Sequence, residues 1–168
     1  MRVLPDTNIF ISALMFPNSK PATVLLRIGS EHQMVLSQYV IDEVIKVVEL
    51  KYPKGLSAAK ELFTSMSFEL ISENDQTIVE ISDIKDQPIL NAAIAGDVDV
   101  IVSGDKHFKQ LSLKKPRVLS PAEFIDLLEH IEDEHDLREL RAAMAEHEKN
   151  PVTISHAELM KEFGLDGE

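Results

Sequence analysis

The chain has 168 residues, a formal net charge of −12 and no cysteine. That length suits one domain of ordinary size with an appendage. The absence of cysteine excludes disulfides, thiolate catalysis and cysteine-held zinc, and it fits a reducing cytoplasm.

In chain order, RVLP reads as a short strand, and Asp6, Thr7 or Asn8 can cap the apolar run IFISALM that follows. Pro21 is placed to open a helix, PATVLLRIG, with Gly29 as its stop. MVLS is a second strand. Ser37 then caps QYVIDEVIKVVELK, on which Val40, Ile41, Val44, Val47 and Val48 form an apolar stripe at helical spacing. Residues 58–66 predict another short helix and FELIS a strand. Asp86 to Ala95 reads as a helix ended by Gly96, and VDVIVS as a buried strand. RVLS follows, and then SPAEFIDLLEHI, with Ser120, Pro121 and Glu123 as N-cap, first residue and capping-box partner. Strands alternating with helices predict an α/β fold with a mainly parallel sheet. No apolar run approaches the ~18 residues of a membrane span. Asp6 and Asn8 stand where a secretory signal would need its apolar stretch. A cytoplasmic protein without a membrane partner is therefore expected.

In open parallel sheets the functional crevice lies beyond the carboxyl ends of the strands. Asp6 follows the first strand and Asp105 follows VDVIVS, so both are expected at that edge. Glu43 lies on a helix among apolar neighbours, and Asp86 opens the helix that leads into VDVIVS. Each acid also has a structural explanation. Asp6 and Asp86 can be caps, Asp105 a turn residue in SGDK, and Glu43 the partner of Lys46 or Lys85. Together they are harder to dismiss, because two like charges about 4 Å apart cost about 4 kcal/mol at an effective dielectric near 20. A divalent cation removes that cost. All-oxygen ligands point to Mg²⁺ or Mn²⁺, as one ion or two, and such sites mostly handle phosphates. A haloacid-dehalogenase-type phosphatase would need an acid where Asn8 stands, and the P-loop pattern is absent.

The segments VLPDTNIFISAL, LSQYVIDEV, DQPILNAAIAGDVDVIVSGDKHF and VLSPAEFI resemble the PIN domain in order and spacing, in particular the VapC-like toxins of toxin–antitoxin pairs. The resemblance covers residues 1 to about 128. It implies a three-layer α/β/α fold and a metal-dependent ribonuclease hydrolysing RNA. The family's catalytic and metal-holding acids fall on Asp6, Glu43, Asp86 and Asp105, and its accessory polar positions on Asn8 and Ser103. Where many members carry a further acid two residues after Asp105, this chain has His107, which leaves room for a weak ligand or a proton shuttle. Lys46, Lys106 and Lys109 are candidate phosphate contacts, with Lys51, Lys54, Lys114, Lys115 and Arg117 as further cations beside the crevice. A homodimer is implied by resemblance only. The alternative is a PIN fold that no longer cleaves and holds RNA or a protein partner.

The acidity is uneven. Residues 1–130 carry 18 acids against 13 Lys and Arg, while residues 131–168 carry 11 against 4. We therefore expect a nuclease domain over 1–130 and an acidic helical extension over 131–168. EDEHD at 132–136 is expected to break the helix before LRELRAAMAEHEK, whose Leu137, Leu140 and Met144 share a face. TISHAELMKEFGL predicts a last helix, with Ser155, Glu158, Ile154, Leu159 and Gly164 as its cap, box, staple and stop. This ending is similar to the ends of small antitoxins. The similarity implies a built-in antitoxin-like segment, acting by its negative field or by Arg138 or Arg141 entering the carboxylates. A structural or dimer arm is the other reading, and a separate cognate antitoxin remains a possible partner.

Overall fold

Strands buried on both faces are apolar along their whole length, and Val3, Leu4, Met34, Val35, Leu36 and Ile101 are all fully buried. The computed structural model describes residues 1–72, 79–111 and 113–149. It runs β1 (Arg2–Pro5), α1 (Thr7–Met15), α2 (Lys20–Glu31), β2 (Gln33–Ser37), α3 (Gln38–Lys51), α4 (Leu56–Ser65), β3 (Glu69–Ile71), α5 (Gln87–Ala95), β4 (Val100–Val102), α6 (Lys106–Lys109), β5 (Arg117–Leu119) and α7 (Pro121–Lys149). The strands form one sheet in the order β3-β2-β1-β4-β5, and each adjacent pair is parallel. The expected α/β fold with a parallel central sheet flanked by helices is the fold observed. β1 lies between β2 and β4, with Val3 opposite both Met34 and Val100. The chain thus moves outward in opposite directions on the two sides of β1, the arrangement that opens a crevice at the strands' carboxyl ends.

Local signals account for most boundaries. Ser37 Oγ accepts the Val40 N–H at the start of α3. Ser120 and Glu123 close a reciprocal capping box at the start of α7. Gly96 ends α5, where a Cβ would come within 2.9 Å of the Ile71 side chain and 3.0 Å of a carbonyl oxygen, so only glycine fits without movement.

Two expectations are corrected. Gly29 does not stop α2, which continues to Glu31; an Arg27–Glu31 ion pair of 2.6 Å braces the last turn. Nor does EDEHD break the helix. α7 is continuous from Pro121 to Lys149, because Glu is a good helix former and i,i+4 contacts bridge the segment. These are His130–Glu134 at 3.4 Å, His135–Glu139 at 3.7 Å and Arg138–Glu134 at 3.8 Å.

The chain divides into two units, Met1–Leu127 and Leu128–Glu168. In the second, Leu137, Leu140 and Met144 are exposed on α7. The features read at Ile154, Ser155, Glu158, Leu159 and Gly164 lie outside the described residues.

At the amino ends of the strands, acids and bases are matched. The Arg2 guanidinium donates to both carboxylate oxygens of Glu69, at 2.5 and 2.9 Å, and to the Gly96 carbonyl. Lys115 Nζ stands 2.9 Å from both Asp97 and Asp99.

Candidate active site

At the carboxyl edge two of the four acids, Asp6 and Glu43, are held by hydroxyl groups. Asp6 occupies the N-cap position of α1, yet its side chain makes no capping bond. Its Oδ2 instead accepts the Ser103 hydroxyl at 2.8 Å. Ser103 directly follows β4, the strand beside β1, and the same Oγ accepts the Asp105 N–H at 3.0 Å. One buried hydroxyl therefore ties Asp6 to the turn that carries Asp105. Asp105 does serve as a cap, accepting the His107 N–H at 2.7 Å. On α3, Glu43 Oε2 accepts the Thr7 hydroxyl at 2.5 Å, and Thr7 is the residue after Asp6.

Asp86 decides between capping and function. It occupies the N-cap position of α5, but its backbone is already helical and its side chain caps nothing. Its Oδ2 is buried and has no hydrogen-bond partner among the described residues. Unpaired buried carboxylate oxygens are costly, and one such atom beside other acids fits an incoming cation.

The charges are coupled. Burial, opposed by the Ser103 hydrogen bond and assisted by Glu43 and Asp105, pushes Asp6 up to about 6. Burial, then Asp6, Asp105, Asp83 and Glu43, push Asp86 up to about 7. Among the described residues no Lys or Arg pairs with Asp6, Glu43, Asp86 or Asp105. As they stand, no three His, Asp or Glu side chains among those residues converge closely enough to hold a metal ion. The donor set nonetheless fits a hard divalent cation: all oxygen, mutually repelling, with one buried oxygen unpartnered.

The accessory residues divide. Ser103 is integral to the edge. Asn8 is exposed in the first turn of α1 and makes no side-chain hydrogen bond among the described residues. His107 Nδ1 lies 2.7 Å from the Ser82 hydroxyl. Lys46 and Lys106 are exposed, whereas Lys109 stands 3.4 Å from Glu123. Lys114, Lys115 and Arg117 are not beside the crevice. They precede or open β5 at its amino end, and Lys115 is committed to Asp97 and Asp99. Arg138 pairs with Glu134 on α7, and Arg141 is exposed. The sequence offers Thr7 only as a possible cap, not as the partner of Glu43, and gives no sign of Ser82. A hydroxyl beside Asp6 was a usable signal for Thr7; nothing local marks Ser82.

Residues 2–107 match the PIN domain. The chain belongs to the PIN-domain family. Residues 126–163 match a family of unknown function (DUF6290). Among solved structures, the PIN fold of this chain is similar to VapBC2 from Rickettsia felis bound to a DNA fragment from its promoter. That match has 17% identity over 71% of this chain and 98% of the other, with TM-score 0.55. DNA-bound VapBC from Salmonella typhimurium matches at 15% identity over 72% and 98%, TM-score 0.56. VapBC-1 from nontypeable Haemophilus influenzae matches at 18% over 73% and 99%, TM-score 0.54. No curated protein sequence matches the chain. At these identities the likeness is one of fold.

Proposed function

We propose that this PIN domain is a metal-dependent endoribonuclease, the toxin component of a toxin–antitoxin pair, acting in the cytoplasm. The observation that carries the reading is a row of acids at the carboxyl edge with no basic partner among the described residues, one of which, Asp86, keeps a buried unpartnered oxygen. Asp6, Glu43, Asp86 and Asp105 would hold Mg²⁺ or Mn²⁺, which when bound supplies charge neutralisation at the phosphate and activation of water. Ser103 orients Asp6 and steadies the Asp105 turn, and Thr7 orients Glu43. Lys46 and Lys106 add phosphate contacts at the rim, and Lys109 joins them where RNA displaces Glu123. The VapBC likenesses add support for a cognate antitoxin, and a homodimer is part of the proposal.

The nuclease part is assigned to residues 1–130 and an inhibitory, antitoxin-like part to 131–168. The separate family match over 126–163 supports treating the second as its own module. Inhibition acts through its charge of −7 or through Arg138 or Arg141. A chain ending at His130 should cleave RNA faster than the full chain. Equal rates from a soluble truncated chain remove the inhibitory role. If an arginine is the agent, Arg138→Ala or Arg141→Ala in the full chain speeds cleavage and tightens Mn²⁺ binding; if the field is, added salt speeds cleavage and neither substitution tightens Mn²⁺ binding.

A second reading, a PIN fold that binds without cleaving, draws on His107 and on the lack of three converged ligands among the described residues. RNA cleavage assayed against Mn²⁺ concentration separates them. Cleavage abolished by Asp6→Asn and Asp105→Asn supports the enzyme; cleavage unchanged by both removes it. No calorimetric Mn²⁺ binding at millimolar concentration favours the binding module.

A further inference from the structure

On α3, Tyr39, Glu43, Lys46, Val47 and Leu50 follow one another at spacings of four, three, one and three, so they share one helix face. With Asp42 and Lys85 they line a cavity of about 410 Å³, and Glu43 is one of the four acids of the candidate site. The Tyr39 hydroxyl donates to the Lys85 carbonyl at 3.0 Å, which ties the far wall to the helix. Burial, and then the charges of Glu43, Asp86 and Asp83, push the Tyr39 hydroxyl up. The groove is thus continuous with the acid edge.

Its lining is of three kinds, apolar, cationic and acidic. Leu50 is 74% exposed and Val47 is half-buried, so together with the Tyr39 ring they present apolar surface to solvent. Lys46 and Lys85 flank them, and neither amine pairs with a carboxylate among the described residues. Asp42 and Glu43 line it too, Asp42 accepting from Gln38 Nε2 at 2.8 Å and Glu43 from the Thr7 hydroxyl. An aromatic and aliphatic floor between unpaired cations suits a single nucleic-acid strand, with bases on the floor and phosphates on the lysines. A larger cavity, about 730 Å³, opens at the opposite edge, but its cation Arg2 is already spent on Glu69.

We propose that the α3 groove between Lys46 and Lys85 is the subsite that takes the single-stranded nucleotides flanking the cleaved bond, with one base lying against Tyr39 and Leu50. This rests on the nuclease reading of the acid edge and adds to it the form of the substrate and the path it follows. In a chain of net charge −12 it gives a polyanionic substrate two lysines without carboxylate partners among the described residues, while the two acids of the groove are each held by a hydrogen-bond donor.

The test uses the full chain carrying Asp6→Asn, so that binding is read without cleavage, and fluorescein-labelled octauridylate as probe. Lys46→Ala with Lys85→Ala should weaken binding about tenfold or more and reduce the slope of log affinity against log salt by about 1.4. Leu50→Ala and Tyr39→Ala should weaken it severalfold or more, and Tyr39→Phe should restore it, because the ring carries the stacking. Lys114→Ala, at the opposite edge, is the control for charge alone. Inorganic polyphosphate should compete poorly and should not sense Leu50→Ala. Binding that matches the parent in both the lysine and the Leu50 variants overturns the subsite. So does polyphosphate competing as well as RNA, which would leave only an anion site. The two readings fail differently. If the chain carrying Asp6 cleaves RNA and the groove variants cleave it equally well at sub-saturating concentration, the groove inference falls alone. If groove variants lose octauridylate binding while the Asp6 chain never cleaves with Mn²⁺, the nuclease reading falls and the groove stands.

Discussion

The two edges of one sheet treat their acids in opposite ways. At the amino edge Glu69 faces Arg2, and Asp97 and Asp99 face Lys115, so burial is slight and each acid has a base. Hydrogen bonds from Arg2 and Lys115 hold Glu69 and Asp99 below the usual carboxylate range. At the carboxyl edge Asp6 and Asp86 are pushed upward, chiefly by burial and then by one another and their neighbours. Asp6 and Glu43 accept from hydroxyls, which orient a carboxylate without neutralising it, and Asp86 Oδ2 has no partner among the described residues. The amino edge is electrostatically complete. The other has acids without bases among the described residues, and that asymmetry is the physical content of the proposed function.

The strongest way to break the comparison is at the unmatched acids. Asp6→Asn or Asp86→Asn should reduce RNA cleavage on the order of a hundredfold or more, since even partners of metal ligands are worth 10–100-fold. The same variants should melt higher than the parent in chelator, because each removes a repelled charge that is buried at Asp6 and partly buried at Asp86. Reduced cleavage with a lower metal-free Tm would mean the acids hold the fold together. Ser103→Ala comes next. It deletes the donor to Asp6 and the acceptor for the Asp105 N–H, so we expect about 1–3 kcal/mol lost in denaturant unfolding and cleavage down about tenfold.

Mn²⁺ should stabilise the protein through the carboxyl edge only. At a hundredfold excess over its dissociation constant, binding adds about 2.7 kcal/mol, or about 5–10 °C in Tm for a chain of this size. The gain should vanish in Asp6→Asn and persist in Lys115→Ala. A shift that survives Asp6→Asn would place the ion elsewhere.

The pH response has a definite sign. In the unfolded chain Asp6 and Asp86 titrate near 3.8, and in the fold near 6 and 7. Between those values the folded protein retains protons that the unfolded chain has released, so stability falls as pH rises. Metal-free protein should therefore lose Tm from about pH 4 to pH 7, and the Asp6→Asn, Asp86→Asn double variant should lose less. Asp99 behaves oppositely. Its lowered value means its contribution is present above 3.8 and is lost as pH falls through the folded value. Saturating Mn²⁺ should flatten the first slope and leave the second.

How much of this was legible beforehand follows from the range of each cause. Asp6 and Asp105 could be placed because their edge is set by the strands they follow. The parallel sheet and the start of α7 were written in apolar periodicity and the capping box, which act over a few residues. Which acids have bases could not be read, because Arg2 meets Glu69 and Lys115 meets Asp99 only once the strands are in register. Lys115 was accordingly put beside the crevice when it belongs to the far edge. The continuity of α7 was missed for a related reason. EDEHD carries no apolar stripe, and the i,i+4 contacts that bridge it weigh little in periodicity. Asp86 reads as a cap in the sequence, and only in the folded chain is it evident that its side chain caps nothing.

The smallest effect is expected at the matched edge, and it sharpens the contrast by being small. Lys115 stands 2.9 Å from both Asp97 and Asp99, but its side chain is 44% exposed and that of Asp97 82%. Ion pairs in that setting are solvated on both sides and screened within a Debye length of about 8–10 Å. Removing the amine leaves two carboxylates that water can hydrate, and Asp99 keeps the Arg2 N–H at 2.7 Å. Lys115→Ala should therefore lower Tm by about 2 °C at low salt and less at 0.5 M salt. Because its charge is absorbed at the amino edge, cleavage, Mn²⁺ stabilisation and octauridylate binding should all stay at the level of the parent. A cleavage rate that falls with Lys115→Ala would mean the amino edge also touches substrate, and the division between a self-neutralised edge and a cation-requiring one would have to be given up.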